Sequence, residues 1–320
     1  MEKDDRSHAT SLPTRASKNV ANVELTICIV SFQARDYLQK CLTSIFENPP
    51  AGAFEVIVVD NHSTDGTVEM VKKHFQNIHL IENPENRGFT APMNQALHAG
   101  HGKYLLQLNP DTVVLPNAFN HLIEFMESHP QVGICGPKVL NDDSTLQKPC
   151  RRGESRPWAV ITYFMGLSTL FPKSKFFGGY LMSYMDENEI HEAAGVSGSC
   201  MLIRRKLIDQ IGYLDERFFA YQEDADFCFQ ARKTGWKIYY VPTAQITHYG
   251  GRGGSHVYPY RSILEWHRSY WLHYRKNMAG DYLFLFNWIY YVAIALKLVL
   301  ALFLYLFRKG KFARNDSKLD

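Results

Sequence analysis

The sequence predicts an α/β protein built on a mostly parallel sheet. Strand-like apolar runs alternate with helix-spaced segments between residues 25 and 108, the pattern of βαβ units whose sheet is covered on both faces. The 320 residues are 46% hydrophobic and 13% aromatic, enough for one large domain or two small ones around a sizeable core. The third observation is Asn109-Pro110-Asp111, which follows Tyr104-Leu105-Leu106-Gln107-Leu108 and precedes Thr112-Val113-Val114-Leu115-Pro116. A buried strand there ends on an acidic loop. Ligands of open α/β sheets bind at the carboxyl ends of strands, where a carboxylate can hold a divalent metal on a diphosphate. The same tripeptide is also an ordinary turn.

In chain order, residues 25–31 form a β-rich run and 37–46 have helical spacing. Strand 54–60 leads to helix 67–75, and a short strand, 78–81, to helix 91–99; strand 104–108 closes the regular half. Beyond residue 131 the pattern loosens. Residues 132–140 and 196–203 read as strands. The aromatic, glycine-containing stretch 151–192 between them reads as a long irregular loop, a length that is usually functional or mobile. A helix over 222–234, a strand over 237–241 ending at Pro242, and an aromatic basic helix over 261–278 complete the order. No internal repeat is present.

A formal net charge of +3 is too small to point to nucleic acid. Six scattered cysteines form no CxxC pair, which suggests a reducing compartment and no structural zinc. Residues 1–22 are polar, have no apolar core, and read as a solvated arm rather than a secretory signal. Residues 282–307 are mostly apolar and long enough to cross a bilayer.

Four constellations carry chemistry. Val59-Asp60-Asn61-His62-Ser63-Thr64-Asp65-Gly66 puts Asp60 at a strand end, where it can meet a pyrimidine N–H or a ribose hydroxyl, and Asp65 at a helix start, where it can equally be an N-cap. In Asn86-Arg87-Gly88-Phe89, with Asn94 downstream, Gly88 permits close backbone approach and Arg87 can meet a phosphate. Phe218-Phe219-Ala220-Tyr221-Gln222-Glu223-Asp224-Ala225-Asp226-Phe227 brackets three carboxylates with aromatics. Such surroundings can raise a carboxylate's proton affinity toward that of a general base. His248-Tyr249-Gly250-Gly251-Arg252-Gly253-Gly254-Ser255 joins a candidate metal ligand to a stretch able to form a lid or contact phosphate.

In this order and spacing, over about residues 24–256, the four pieces resemble the inverting family 2 glycosyltransferases with a GT-A fold. That resemblance implies a Rossmann-like nucleotide half joined to an acceptor half in one continuous sheet. It implies nucleoside contacts from Asp60 and Asp65, with Ser31, Asn61, Arg87, Gly88, Asn94 and Asn109 around the nucleotide sugar. Asp111 and His248 would hold a divalent metal, Mg2+ or Mn2+. Asp224, with Glu223 beside it, would be the catalytic base of a single displacement.

Two departures stand out. Asn109 replaces the first acid of the common Asp-x-Asp form, which removes one negative charge from the metal site. The rhamnosyltransferase-like branch, which shares the Asn-Pro-Asp form, usually has Arg seven residues after Glu223; here that residue is Gln230, so any ion pair to Asp226 must differ or be absent. The motif set looks most like that branch, which uses dTDP-L-rhamnose to extend lipid-linked or surface glycans. A UDP-hexose donor is the alternative within the family. The Gln-x-x-Arg-Trp of processive synthases is missing. A non-catalytic nucleotide-sugar-binding protein is a further reading, supported by Asn109 and Gln230 alone. A sugar nucleotidyltransferase would need a glycine-rich loop where Ser31-Phe32-Gln33-Ala34-Arg35 stands.

The expected organisation is a polar arm (1–22), a GT-A domain (23–258) and C-terminal basic and apolar helices (259–320). Lys297 is costly at the centre of a bilayer span, and basic residues flank both ends of the apolar run. A helix or helical hairpin lying in the cytoplasmic interface, held by anionic lipid, fits both facts.

Overall fold

The computed structural model describes residues 22–251 and 257–316; the expected polar arm falls outside it except for its last residue, as do Arg252, Gly253, Gly254 and Ser255 of the glycine-rich stretch. The elements run β1 (Leu25–Ser31), α1 (Arg35–Glu47), β2 (Phe54–Asp60), α2 (Thr67–His74), β3 (His79–Glu82), α3 (Thr90–Ala99), β4 (Tyr104–Leu108), β5 (Thr112–Val114), α4 (Ala118–Ser128) and β6 (Val132–Leu140). They continue as β7 (Arg151–Arg152), α5 (Pro157–Phe164), α6 (Leu167–Leu170), β8 (His191–Glu192), β9 (Gly195–Val196), β10 (Cys200–Arg204), α7 (Arg205–Ile211), α8 (Glu223–Lys233), β11 (Lys237–His248), α9 (Pro259–Asn277) and α10 (Phe284–Asp316).

One sheet has the order β3-β2-β1-β4-β10-β6-β11-β5, with β8 added on β11. β1 is parallel to β2 and β4, and β2 to β3. β10 runs antiparallel to both β4 and β6, and β11 runs parallel to β6. The carboxyl ends of β1, β2, β4, β6 and β11 therefore share one edge. All seven residues of β1 are buried, as expected of a strand covered on both faces. Ile27 and Ile29 pack into one apolar layer with α1, α2 and α4, while Cys28 and Val30 pack into the other with α3, α7 and α8.

Three sequence expectations change. The strand beginning at Lys237 does not stop at Pro242: β11 continues to His248, because a register shift between Val241 and Gln245 places the proline in a bulge, where a missing N–H is tolerated. The 196–203 strand is two, since β9 pairs with β7 and the chain turns at Ser197-Gly198-Ser199 before β10. The 151–192 stretch holds two short helices and two short strands. Of the helix and the helical hairpin expected for the apolar tail, the single helix is the one observed.

Two clamps fix the loop that precedes α8. The Phe219 carbonyl accepts the backbone N–H of Phe89 (2.7 Å) at the start of α3. Gly88 adopts φ +83°, and a Cβ there would stand 2.3 Å from that carbonyl oxygen. The close approach for which Gly88 is needed is thus to Phe219. On the far side of α8, buried Asp226 accepts Lys276 Nζ and Asn277 Nδ2, each at 2.7 Å, and Gln230 Nε2 donates to Asn277 Oδ1 (2.9 Å). The ion pair to Asp226 therefore exists, with its cation supplied by α9.

His273 lies in the same α8–α9 contact, 3.1 Å from Asn277 Nδ2 and 3.0 Å from Ser155 Oγ. Burial lowers its pKa to about 4, although Asp226 acts in the opposite direction. The unfolded imidazole, near 6.5, thus binds a proton that the folded one refuses. Stability is undiminished above pH 6.5 and falls as the pH drops from there to about 4, by up to roughly 3 kcal/mol. Denaturation midpoints against pH should show this loss in the parent and a shallower slope in His273→Gln.

Candidate active site

The shared edge gathers the predicted residues. At one end of it Ser31 and Asp60 are in register on adjacent strands. Asp60 Oδ2 accepts the Ser63 N–H at 2.9 Å. Asp60 Oδ1 and Ser31 Oγ are buried without a hydrogen-bond partner, a cost that a ligand's polar groups can remove. Asn61 is a brace: its Nδ2 donates to the Gly88 carbonyl (2.7 Å) and to Asn86 Oδ1 (3.0 Å), and its Oδ1 accepts the Arg87 N–H (3.1 Å).

Asp65 spends both oxygens on the fold: Oδ2 accepts the Arg35 N–H and Oδ1 the Thr67 N–H and hydroxyl. Asp65 is not the N-cap, which is Gly66; it ties the loop before α2 to the start of α1. Asn94 also points away from the site, with its amide bonded to both the N–H and the carbonyl of Leu214. The Arg87 side chain is exposed. Asn61, Gly88, Asn109, Asp111, Glu223, Asp224 and His248 line one cavity of about 540 Å3; Ser31, Asp60, Asp65, Arg87 and Asn94 do not.

Across the edge, Asp111 and His248 meet although 137 positions apart, because β11 pairs with β5. His248 Nε2 stands 3.2 Å from Asp111 Oδ1 and 3.3 Å from Asn109 Nδ2. Its Nδ1 is 2.7 Å from Gln147 Oε1, and Gln147 Nε2 donates to Asn141 Oδ1 (3.2 Å). A carbonyl oxygen only accepts, so Nδ1 carries a hydrogen, and in the neutral ring Nε2 presents its lone pair on the side of the carboxylate. Two acceptors facing each other are the chemistry of a cation site, so these residues fit a divalent ion. Among the described residues no group of three His, Cys, Asp or Glu forms a closed cage, and further ligands must come from substrate or water.

The acid pair opens α8 behind Tyr221 and Gln222, both left-handed at φ +67° and +63°. Two consecutive non-glycine residues there are strained, and the strain aims the first turn of α8 into the cavity. Asp224 Oδ2 accepts Arg152 Nη2 (2.6 Å) and the Gly198 N–H (2.8 Å); Oδ1 accepts the Ala225 N–H (2.6 Å) and keeps a second lone pair. Burial, and then the Asp224 charge, push the Glu223 carboxyl well above its ordinary pKa; its Oε2 is buried and unpartnered. Sequence reasoning missed Arg152 and Gln147. The Arg151-Arg152 doublet was the one visible signal for the first, and nothing local marked the second. The rest of the cavity is an aromatic wall from α5 and α9, including Phe164, Trp266 and Tyr270.

The model of the family described as Glycosyl transferase family 2 matches residues 26–212. The N-acetylglucosaminyl-diphospho-decaprenol L-rhamnosyltransferase of Mycobacterium tuberculosis is 26% identical over 239 residues, 70% of this chain and 76% of that protein. The low-salt glycan biosynthesis hexosyltransferase Agl10 of Haloferax volcanii is 25% identical over 67% of this chain and 64% of its own. The fold is shared with the mannosyltransferase PcManGT from Pyrobaculum calidifontis, solved in complex with GDP-Man and Mn2+ (TM-score 0.54, 17% identity, 82% of this chain and 67% of that one). It is shared too with residues 1–349 of TarS from S. aureus in complex with UDP (TM-score 0.50, 17% identity, 77% and 65%). With more than half its length inside the family model and its acidic residues on the sheet edge of a GT-A fold, the chain is a glycosyltransferase and belongs to glycosyl transferase family 2.

Proposed function

We propose that the protein transfers L-rhamnose from dTDP-L-rhamnose to a hydroxyl of a lipid-linked or cell-surface glycan, with inversion, at the cytoplasmic face of a membrane. One observation carries the chemistry: Asp224, with a lone pair left on Oδ1, lines the same cavity as the Asp111–His248 pair. The rhamnose assignment is supported by the mycobacterial relative, whose name also supplies the lipid diphosphate acceptor. The apolar stretch Phe284–Phe307, with only 6% of its most apolar window buried, favours a membrane location.

Ser31 and Asp60 would receive the nucleoside through their unpaired oxygens. A divalent cation at Asp111 and His248 would neutralise the charge that gathers on the leaving diphosphate. The acceptor oxygen attacks the anomeric carbon from the side of Asp224, which takes the hydroxyl proton on Oδ1. The carbon–oxygen bond to the diphosphate breaks and its electron pair leaves with the nucleotide, so no sugar–enzyme bond forms. Arg152 and Gly198 hold Oδ2 and so fix the direction in which Oδ1 faces. Glu223, kept protonated by its surroundings, offers a hydrogen bond to a sugar or acceptor hydroxyl.

The test is turnover of a panel of dTDP-rhamnose, UDP-glucose, UDP-galactose, UDP-GlcNAc and GDP-mannose with membrane lipid extract, with Mn2+ and with EDTA. Metal-dependent turnover of dTDP-rhamnose is expected; turnover of a UDP sugar instead would discard the rhamnose assignment and keep the mechanism. Asp224→Asn should lower transfer roughly 100-fold or more while donor titration stays unchanged, and full activity would remove Asp224 as the base. Glu223→Gln preserves a neutral donor and should retain far more transfer than Asp224→Asn. Gln147→Leu frees His248 to turn, and should raise the Mn2+ concentration for half-maximal activity roughly 10- to 100-fold at unchanged nucleotide affinity.

A further inference from the structure

We propose that the α5–α6 segment is a second membrane-contacting element, which shares one bilayer-facing surface with an α10 lying along the membrane rather than crossing it. The proposal rests on the membrane location argued above. Its occupant is an anionic lipid bilayer.

The way α10 packs comes first. Its Asn287 bonds the Tyr274 hydroxyl, and Tyr290 Oη is 2.6 Å from Tyr270 Oη. Lys297 Nζ lies 3.9 Å above the Trp266 ring, 4.4 Å from the Phe164 ring centre and 3.3 Å from His267 Nε2. Positions 287, 290, 294 and 297 form one helical stripe, with Ile294 in the same apolar cluster as Tyr270 and Tyr274. Over about 15 Å of its length, α10 therefore runs along the folded domain. A helix crossing the bilayer from Phe284 would carry Lys297 toward the midplane, and with it α5 and α9, including exposed Arg268. A helix lying in the interface needs no such burial, and the Lys297 charge is shielded by aromatic faces instead of lipid.

The second element continues this surface. Phe164 of α5 touches Trp266 and Lys297 and is the seam between the two. Beyond it, Met165, Leu170 and Phe176 are 67%, 69% and 63% exposed, an outward apolar patch of the kind that marks an interaction site. Lys173 and Lys175 are exposed between Leu170 and Phe176, where anionic headgroups would complement them. Helix α5 also lines the cavity, through Val160, Tyr163 and Phe164. An acceptor carried by lipid would thus enter beside α5 from the bilayer surface.

The test uses the full-length protein bound to phosphatidylglycerol–phosphatidylethanolamine vesicles. All six native cysteines are buried, so Leu170→Cys, Leu285→Cys and Leu300→Cys can each take a single spin label. Collision with oxygen and with a water-soluble nickel chelate then reports depth. We expect all three labels in the acyl region at similar depth, with a Glu69→Cys control in water. Leu170 in water with the other two in lipid would overturn the role of α5–α6 and leave the membrane location standing. Leu300 deeper than Leu285 by roughly 20 Å would overturn the in-plane arrangement. All three in water would overturn the membrane location itself. Spin–spin broadening would mark a second copy on this face and overturn the lipid assignment.

Discussion

The ion pair between Arg152 and Asp224 is the contact on which the site depends. Both side chains are nearly withdrawn from water, 11% exposed each. Burial lowers the affinity of Arg152 for its proton, but Asp224 more than offsets it, and the guanidinium is held above its ordinary pKa. The same arginine donates to the Val196 carbonyl at 2.6 Å, while Gly198 donates to the aspartate. One carboxylate thereby joins β7, β9, the turn before β10 and the start of α8. Such a pair adds little net stability, because desolvation consumes most of its attraction, yet removing one partner costs about 3–5 kcal/mol. Its value lies in position: it holds one oxygen of Asp224, the proposed base, and leaves the other facing the cavity.

The two aspartates of the acidic motif serve different ends because of helix geometry. Residues two apart on an α-helix point about 200° from each other. Asp224 therefore faces the cavity while Asp226 faces α9, where Lys276 and Asn277 meet it. Lys276 also binds Asp215 at 2.8 Å, so the loop before α8 is held by the same cation. Helix α8 is consequently the bracket between the sheet edge and the C-terminal helices. Gln230 of α8 reaches Asp226 only through Asn277, and the cation that meets Asp226 comes from α9.

The parallel half is legible because fully buried strands read as mostly apolar runs: the expected 25–31 and 104–108 match β1 and β4 to the residue. The missed features need partners distant in sequence. Pro242 reads as a strand end until β6 is known to shift register beside it. Arg152 sits in a two-residue strand with no periodicity to announce it. Gln147 acts only through a histidine 101 positions later. The motif residues divided for a similar reason. Asp111, Asp224 and His248 sit where strand and helix ends converge, whereas Asp65 and Asn94 spend their polar atoms on backbone groups, those of Arg35, Thr67 and Leu214, and become parts of the scaffold.

The boundary of the family match shows why the donor side was easier to read than the acceptor side. The match ends at residue 212, after the strands that carry Asp60 and Asp111. Glu223, Asp224, His248 and the aromatic wall from α9 all follow it. A nucleotide diphosphate poses the same problem to every such enzyme, so strand ends, a carboxylate and a cation site can stay constant. An acceptor differs between enzymes in shape and attachment, and the surfaces that meet it change accordingly. Here they change toward rings: Trp266 and Tyr270 stack with planes 3° apart, and Arg261 lies 4.1 Å over Phe219. Aromatic faces favour the apolar faces of sugars and the edge of a membrane. A cavity with acidic residues at the sheet edge and rings from α5 and α9 thus suits the proposed reaction, in which the donor arrives from water and the acceptor on lipid.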